Sequence, residues 1–469
     1  MQNIFTKDRF LGSLLGLAVG DALGAPIEFE KRDSYIPVTN YRAGGPFDLK
    51  VGQWTDDTSL ALCIGSSLLE KKSFDALDII KRFHQWFREG YMSCTGNCFD
   101  IGNTTKAALL RFEEHSDLYS GAPTDPATNG SIMRLAPIPL FYFHNVEKTL
   151  FYAGESSRIT HAPIECIDAC RVLALFIHRA LHGYSKSDIL KYKKEDMLVC
   201  SSIEEILLGS YQKKSRDEIS AKGLATTCLE AALWSFYQTD NFNDGVLLAA
   251  NLGEDSDTTA AVFGQLAGAF YGVKNITPHF LEGLWDKKLI ETMGNDLYKK
   301  VNPYFYEGVN PTVDLIIINP LNEILLIKRS LTSEACPGMM AFPGGFIDSS
   351  ALEGSFWIDG LENPKSAALR ELKEETNLKL ESFVELQLVG EFEGNNRDPR
   401  DNSISWSKTH AFFYRIGDKT YLSQKDFIRG MDDADEAKWI PITEAQQMNL
   451  AFDHNSILEK ALVLAQTFK

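Results

Sequence analysis

The chain is short of several features that would have fixed its class at once. Its eight cysteines are scattered through 469 residues with no C-x-x-C pair among them. That spacing indicates neither a zinc site nor a disulfide scaffold, and a reducing cytoplasm is the expected compartment. Basic residues are outnumbered, 47 Lys and Arg against 64 Asp and Glu, for a net charge of −17. The expectation is therefore no nucleic-acid partner held by phosphate contacts, although an acidic chain can still hold anionic small molecules through bound cations. Long apolar runs are scarce too. KDRF followed by LGSLLGLAVGDALGA imitates a secretory leader, but Asp8 and Asp21 flank a run of only about a dozen residues, too short to span a bilayer. A buried first helix and no membrane association are expected. What remains is an ordinary globular composition, 44% apolar and 24% charged, in a chain long enough for two or three domains.

From Phe10 to about Lys300 apolar residues recur at helical spacing, as in FDALDIIKRFHQWFREG, CIDACRVLALFIHRALHG and TTCLEAALWSFYQ. Few β-branched alternating runs interrupt them, so this part is expected to be all-α. Gly- and Asp-rich loops between the helices carry the polar chemistry, and two of these loops are built alike. Asn251-Leu-Gly-Glu-Asp255-Ser-Asp257-Thr258-Thr259 runs into AAVFGQLAGAFYG, and Trp54-Thr55-Asp56-Asp57-Thr58 runs into SLALCIGSSLLE. Asp and Thr at one helix start are ordinary caps. Two starts with paired carboxylates and hydroxyls supply hard oxygen ligands for two Mg²⁺-type cations. Such paired cations usually sit roughly 3.5–4 Å apart and activate a water or orient a substrate.

Four further loops complete the set: Gly20-Asp21-Ala-Leu-Gly24-Ala-Pro-Ile-Glu28-Phe29, Cys98-Phe99-Asp100-Ile-Gly102-Asn103-Thr104-Thr105, Asn129-Gly130-Ser131-Ile-Met-Arg134 and Thr160-His161-Ala-Pro. Singly, each reads as a turn, a cap or a satisfied polar residue. In this order they closely resemble the ADP-ribosylglycohydrolase family, over roughly residues 8–300. The resemblance implies an all-α fold with a binuclear magnesium centre. It implies Thr55, Asp56, Asp57, Asp255, Asp257 and Thr258 as metal ligands, and Glu28 as an acid near the metals that gates or assists catalysis. Asp100 would contact the substrate ribose, Asn129, Gly130 and Ser131 would form a phosphate-binding loop, and His161 would touch substrate. One departure is visible: Thr128 stands where the loop usually begins with Gly, and Thr tolerates positive φ poorly. Cleavage at the anomeric carbon of ribose builds positive charge on the sugar. Metals can anchor the ribose hydroxyls and polarise a water, while a carboxylate takes the water's proton or protonates the leaving group. Either role is open to Glu28.

After LYKKVNPYFYEGVNPTVD, read as a linker over 301–312, the period changes. Val313-Asp-Leu-Ile-Ile-Ile, an Asn-Pro-Leu-Asn turn and Glu323-Ile-Leu-Leu-Ile-Lys-Arg predict a β-hairpin, and FVELQLVGEFEG and THAFFYRIG predict further strands. An α+β domain over 313–469 therefore follows the all-α domain of 1–300. In Ala367-Ala-Leu-Arg370-Glu371-Leu-Lys-Glu374-Glu375-Thr-Asn377-Leu378 the three glutamates share one helix face. Like charges so crowded make most sense around a cation. The stretch resembles the box of the Nudix hydrolase family, Gly-x5-Glu-x7-Arg-Glu-U-x-Glu-Glu-x-Gly-U with U aliphatic. Glu362 precedes Arg370 by the required spacing, and Phe342-Pro-Gly344-Gly345-Phe346 matches the opening. The insertion DSSALEGSFWIDGL separates Gly345 from Glu362, and Asn377 replaces the box Gly, Asn being the best non-Gly residue at positive φ.

The resemblance implies Glu371, Glu374 and Glu375 as ligands of one or more Mg²⁺, with Glu371 and Glu374 catalytic, and Gly345, Arg397 and Arg400 as substrate contacts. Arg397-Asp-Pro-Arg400, Asp432-Asp433-Ala-Asp435-Glu436 and Leu450-Ala-Phe-Asp453-His454 look like the branch that cleaves ADP-ribose to AMP and ribose 5-phosphate. Both halves converge on one metabolite. The expected protein is a bifunctional hydrolase that frees ADP-ribose from a modified protein or other conjugate and then destroys it. The alternatives are an ADP-ribose-sensing protein with an inactive first domain, and a glycohydrolase acting on a small-molecule derivative.

Overall fold

The computed structural model describes residues 5–194, 197–352, 355, 360–381, 384–394 and 397–467. Part of the Gly345–Glu362 insertion and Phe383 of the FVELQLVGEFEG stretch lie outside the described residues. The chain divides into two compact units, Met1–Val301 and Asn302–Lys469. A strand already begins at Gly308, so the second half of the stretch expected as linker is sheet. Its backbone groups pair with Ser405 onward, which turn-forming Gly308 and Pro311 did not announce.

Unit 1 is built of helices, of which four set the site: α1 (Thr6–Gly24), α2 (Asp56–Lys71), α3 (Asn103–His115) and α4 (Ser256–Tyr271). With the short turn that follows it, α1 makes a 22-residue stretch whose most apolar window has a mean hydropathy of 1.6, longer than its sequence suggested. By length and composition it could cross a bilayer, but 89% of its most apolar window is buried inside this unit. A helix apolar all round is a core helix when other helices cover every side. Here α1 and α4 cross with their backbones touching. A Cβ on Gly264 would lie 1.9 Å from the Gly16 carbonyl oxygen, and one on Gly268 only 1.8 Å from that of Gly12. Only glycine permits this approach, and it draws Asp21 at the end of α1 towards Asp257 at the start of α4.

Unit 2 is a mixed sheet between helices. Its strands are β1 (Gly308–Ile318), β2 (Glu323–Arg329), β3 (Met340–Ala341), β4 (Gly344–Phe346), β5 (Gln387–Glu393), β6 (Ser405–Arg415) and β7 (Ala434–Pro441). Their order is β3-β2-β1-β6-β5, with β4 on β1 and β7 on β2. The β1–β2 hairpin turns at Asn319–Asn322 as expected, while β1 and β6 run parallel from Gly308↔Ser405 to Ile318↔Arg415. Val313–Ile318 is apolar without alternation apart from Asp314 because both faces are covered. Val313, Leu315 and Ile317 pack on α5 (Pro364–Thr376), and Ile316 and Ile318 pack on α6 (His454–Ala465). Asn377 ends α5 in the left-handed region at φ 59°.

Candidate functional sites

In unit 1 the N-termini of α2 and α4 face one acid-lined cavity of about 730 Å³. Its wall includes Glu28, Asp56, Asp100, Asp255, Asp257 and Thr258, together with Asn129, Gly130 and His161. Thr55 and Asp57 sit just behind. The Thr55 hydroxyl lies 3.2 Å from Asp57 Oδ2 and 3.3 Å from Asp257 Oδ2, and the Thr258 hydroxyl is 3.5 Å from Asp57 Oδ2. Loops some two hundred residues apart in sequence thus meet at one point. Ser131 is the exception, since its hydroxyl pairs with Ser157 at 2.9 Å and does not line the cavity.

Asp21 explains why the α2 start is free for ligands. It accepts from the Thr55 and Thr58 N–H groups at 2.8 and 3.0 Å and from the Thr58 hydroxyl at 2.6 Å. A carboxylate from α1 thereby does the capping that Thr55 itself does not perform. Asp56 and Asp57 are released from that duty. Asp21 was not singled out as a site residue, because nothing local marks a capping partner more than thirty residues upstream.

The cluster is electrostatically incomplete. Glu28 Oε2, Asp57 Oδ1 and Asp257 Oδ1 are buried without a hydrogen-bond partner among the described residues. Oxygens of Glu28, Asp100 and Asp257 lie within 4.8 Å of one another. Burial first, then the neighbouring carboxylates, pushes Glu28, Asp56, Asp57 and Asp257 far above the carboxylate range. Asp100 is pushed to about 8 by the same causes, and Asp21 to about 6 by burial against its hydrogen bonds. Buried like charges with orphaned oxygens are the condition that a hard divalent cation relieves, so the donor set fits Mg²⁺-type ions.

Beside the acids runs a directed hydrogen-bond chain. Arg134, fully buried over the Phe83 ring at 4.4 Å, donates to the Thr160 hydroxyl at 2.6 Å. Thr160 Oγ1 lies 2.7 Å from His161 Nδ1, His161 Nε2 lies 3.0 Å from Thr128 Oγ1, and Thr128 donates to Thr104 at 3.0 Å. Burial and Arg134 hold His161 neutral. Thr128 has spent its proton on Thr104, so His161 must carry its hydrogen on Nε2 and accept from Thr160 on Nδ1. Thr128 is not at positive φ. The departure from Gly leaves the loop undistorted and adds this hydroxyl. Gly130 is small because a Cβ there would meet His161 Cε1 at 2.9 Å.

In unit 2 the box closes on itself. Arg370 Nη1 donates to Glu371 at 2.7 Å and Glu374 at 3.0 Å, and its Nη2 donates to Glu362 at 2.9 Å. Glu375, 2% exposed, accepts from the Gly344 N–H at 2.7 Å and so ties β4 to α5. A Cβ on Gly345 would sit 2.6 Å from the Glu371 carboxylate and displace it, so the bare backbone there leaves that side chain its place. Burial raises Glu371 to about 7 despite Arg370, and Glu375 rises further with Asp433 alongside. Asp433 was noted in the sequence as part of an acidic stretch, not as a neighbour of the box.

The two arginines expected as substrate contacts each carry an ion pair within unit 2. Arg397, 7% exposed, donates to Asp314 at 2.8 Å and lies 3.3 Å from Asp453. Arg400 is paired with Asp398 at 2.7 Å. Asp314 also meets His454 at 3.1 Å and is held below the usual carboxylate range against the cost of burial. Arg397 is thus a member of a buried ion network under β1, a placement that an exposed-looking Arg-Asp-Pro-Arg loop does not reveal.

Comparison with known proteins follows the same division. The ADP-ribosylglycohydrolase family model matches residues 2–304, and the NUDIX domain model matches 308–461. The chain is 40% identical to the ADP-ribosylarginine hydrolase Tri1 of Pseudomonas putida, over 62% of this chain and 78% of that protein. It is 31% identical to the ADP-ribosyl-[dinitrogen reductase] glycohydrolase of Rhodospirillum rubrum, over 59% and 90%. A solved structure described as an ADP-ribosylglycohydrolase-related protein complex aligns with a TM-score of 0.57 and 37% identity, covering 63% of this chain and 98% of its own. The chain therefore belongs to the ADP-ribosylglycohydrolase family and joins that hydrolase domain to a second one, a NUDIX domain.

Proposed function

We propose that unit 1 releases ADP-ribose from a modified protein or other conjugate, and that unit 2 cleaves the freed ADP-ribose to AMP and ribose 5-phosphate. Orphaned carboxylate oxygens gathered from two helix starts in one cavity carry this reading. Thr55, Asp56, Asp57, Asp255, Asp257 and Thr258 would hold two Mg²⁺ ions, which when bound anchor ribose hydroxyls and lower the pKa of a water. Glu28, 6% exposed and with one oxygen lacking a hydrogen-bond partner, would take the proton of the attacking water or give one to the leaving atom. Asp100, which has an oxygen within 4.8 Å of oxygens of Glu28 and Asp257, would contact the ribose on which positive charge develops. Asn129 and Gly130 form the wall that takes the diphosphate, beside the Thr128–His161 chain.

In unit 2, Glu371, Glu374 and Glu375 would hold Mg²⁺, which neutralises the diphosphate and orients water for in-line attack. Arg370 keeps Glu371 and Glu374 together, and Gly345 lets Glu371 approach the β4 backbone. Two relatives are named as ADP-ribosylarginine hydrolases, and this favours an arginine-linked substrate. The test is to incubate an arginine-ADP-ribosylated peptide with the protein and Mg²⁺. The expected products are unmodified peptide, AMP and ribose 5-phosphate. Free ADP-ribose without AMP would sink the assignment of unit 2, and a peptide that stays modified would sink that of unit 1.

A further inference from the structure

Phe29 is placed in a way that folding alone does not account for. Its ring is 68% exposed and lines the acid cavity. Its backbone sits at φ 65°, a conformation costly for a bulky side chain and kept only where surrounding contacts impose it. Those contacts are present. The Phe29 N–H donates to the Glu254 carbonyl at 2.7 Å, and the Glu254 N–H returns a bond to Glu30 at 2.8 Å, with Glu254 itself at φ 58°. Two strained turns are thus clamped together so as to hold an aromatic ring out at the cavity mouth. Behind it, Phe47 lies 6.4 Å from Phe29 and 5.5 Å from Phe99, both pairs tilted or edge-on.

The three rings are tied to the acids. Phe29 lines the same cavity as its chain neighbour Glu28 and as Asp100, which follows Phe99. Phe47 and Phe99 back the Phe29 ring from outside the lining. Phe29 thus shares its cavity with the carboxyls where the glycosidic bond would break. Adenine, separated from that bond by a ribose and a diphosphate, lies away from it; the group that leaves lies beside it. The charge around the wall selects further. Apart from the carboxylates assigned to the cations, Glu28, Asp100 and Glu254 line the cavity, and Lys222 is the basic lysine or arginine among its lining residues. Glu28 keeps a buried oxygen without a partner. A flat cation whose face meets an aromatic ring and whose N–H edge meets carboxylates fits this surface. A guanidine glycosylated on one nitrogen remains such a cation, whereas a serine O-glycoside is neutral and has no plane to stack.

We infer that Phe29, backed by Phe47 and Phe99, forms an acceptor-side subsite for the guanidinium of an ADP-ribosylated arginine. This deepens the glycohydrolase reading above and rests on it. The experiment uses the full chain with Mg²⁺ and matched peptides carrying ADP-ribose on arginine or on serine, with released peptide as the readout. Phe29→Leu keeps the backbone penalty and most of the apolar bulk and removes only the π face, and Phe29→Tyr restores that face. For Phe29→Leu, kcat/KM on the arginine-linked peptide should fall about tenfold. The arginine-over-serine ratio should fall by the same factor, and Phe29→Tyr should recover both. An unchanged kcat/KM in Phe29→Leu, or equal losses on the two peptides, overturns the subsite and leaves the glycohydrolase reading standing. If the unsubstituted protein frees neither peptide, that reading falls and the subsite falls with it.

Discussion

Asp21 shows how much of a site can depend on a residue outside its ligand set. Its carboxylate takes the Thr55 and Thr58 N–H groups and the Thr58 hydroxyl, and so fixes the turn that presents Asp56 and Asp57. Asn at this position keeps the shape but has one acceptor oxygen for three donors, so the turn must loosen. Groups that orient ligands without being ligands typically change metal affinity by 10–100-fold. Asp21→Asn should therefore shift the Mg²⁺ concentration for half-maximal peptide release upward by about that factor, with ADP-ribose cleavage unaffected. An unshifted Mg²⁺ curve would show that the α2 start holds its form without this cap. The Thr128 hydroxyl makes a parallel point, because a departure from the family's Gly becomes a link between His161 and Thr104.

At the scale of elements, the α1–α4 crossing holds the site together, and it offers a sharp test. A Cβ at Gly264 would meet the Gly16 carbonyl oxygen at 1.9 Å, and neither backbone can yield without moving its helix. Overpacking of this kind typically costs about 1–3 kcal/mol, and an incoming atom this close to backbone belongs at the upper end. Gly264→Ala should lower the thermal transition of unit 1, followed by circular dichroism at 222 nm, and should weaken peptide release because Asp21 and Asp257 separate. A variant with normal stability would mean that the helices are not held this close. The acids around the two helix starts also carry a pH signature. Asp21 at about 6 and Asp100 at about 8 bind protons in the folded state that the unfolded chain, with ordinary carboxyls, does not. Stability without cations is therefore lost as pH rises through that range. With chelator, the melting temperature should fall between pH 6 and pH 8, and saturating Mg²⁺ should remove most of that fall, since the cation replaces the protons. A flat profile with chelator would show that these carboxyls are ionised without help.

The elements also show what could be read beforehand. The paired Asp-Thr starts, the helical periodicity and the β1–β2 hairpin were legible because each is local, a matter of spacing three, four or two residues apart. The extent of α1 was not, since Asp8 and Asp21 looked like ends of an apolar run when they are buried members of the helix. Nor were the ion pairs of Arg397 and Arg400 with Asp314 and Asp398. Asp314 stands in the otherwise apolar run Val313–Ile318 with nothing local to name its partner.

For the whole molecule, the question is whether two hydrolase domains in one chain act as one machine or as two. Each unit has its own core and its own acids. Asp57 belongs to unit 1 and Glu374 to unit 2, so one substitution should silence one reaction and spare the other. Asp57→Ala should stop release from the arginine-linked peptide while free ADP-ribose still gives AMP. Glu374→Gln should release peptide and let ADP-ribose accumulate. If ADP-ribose passes between the units through solvent, an equimolar mixture of these two single variants must make AMP from the conjugate. A lag should precede AMP and shorten as protein concentration rises, because ADP-ribose must first build up towards the KM of unit 2. The unsubstituted chain at the same total concentration should show the same lag scaled by its doubled complement of active sites. AMP without a lag in the unsubstituted chain, beside a lag in the mixture, would refute free exchange and show that ADP-ribose is handed on within one polypeptide.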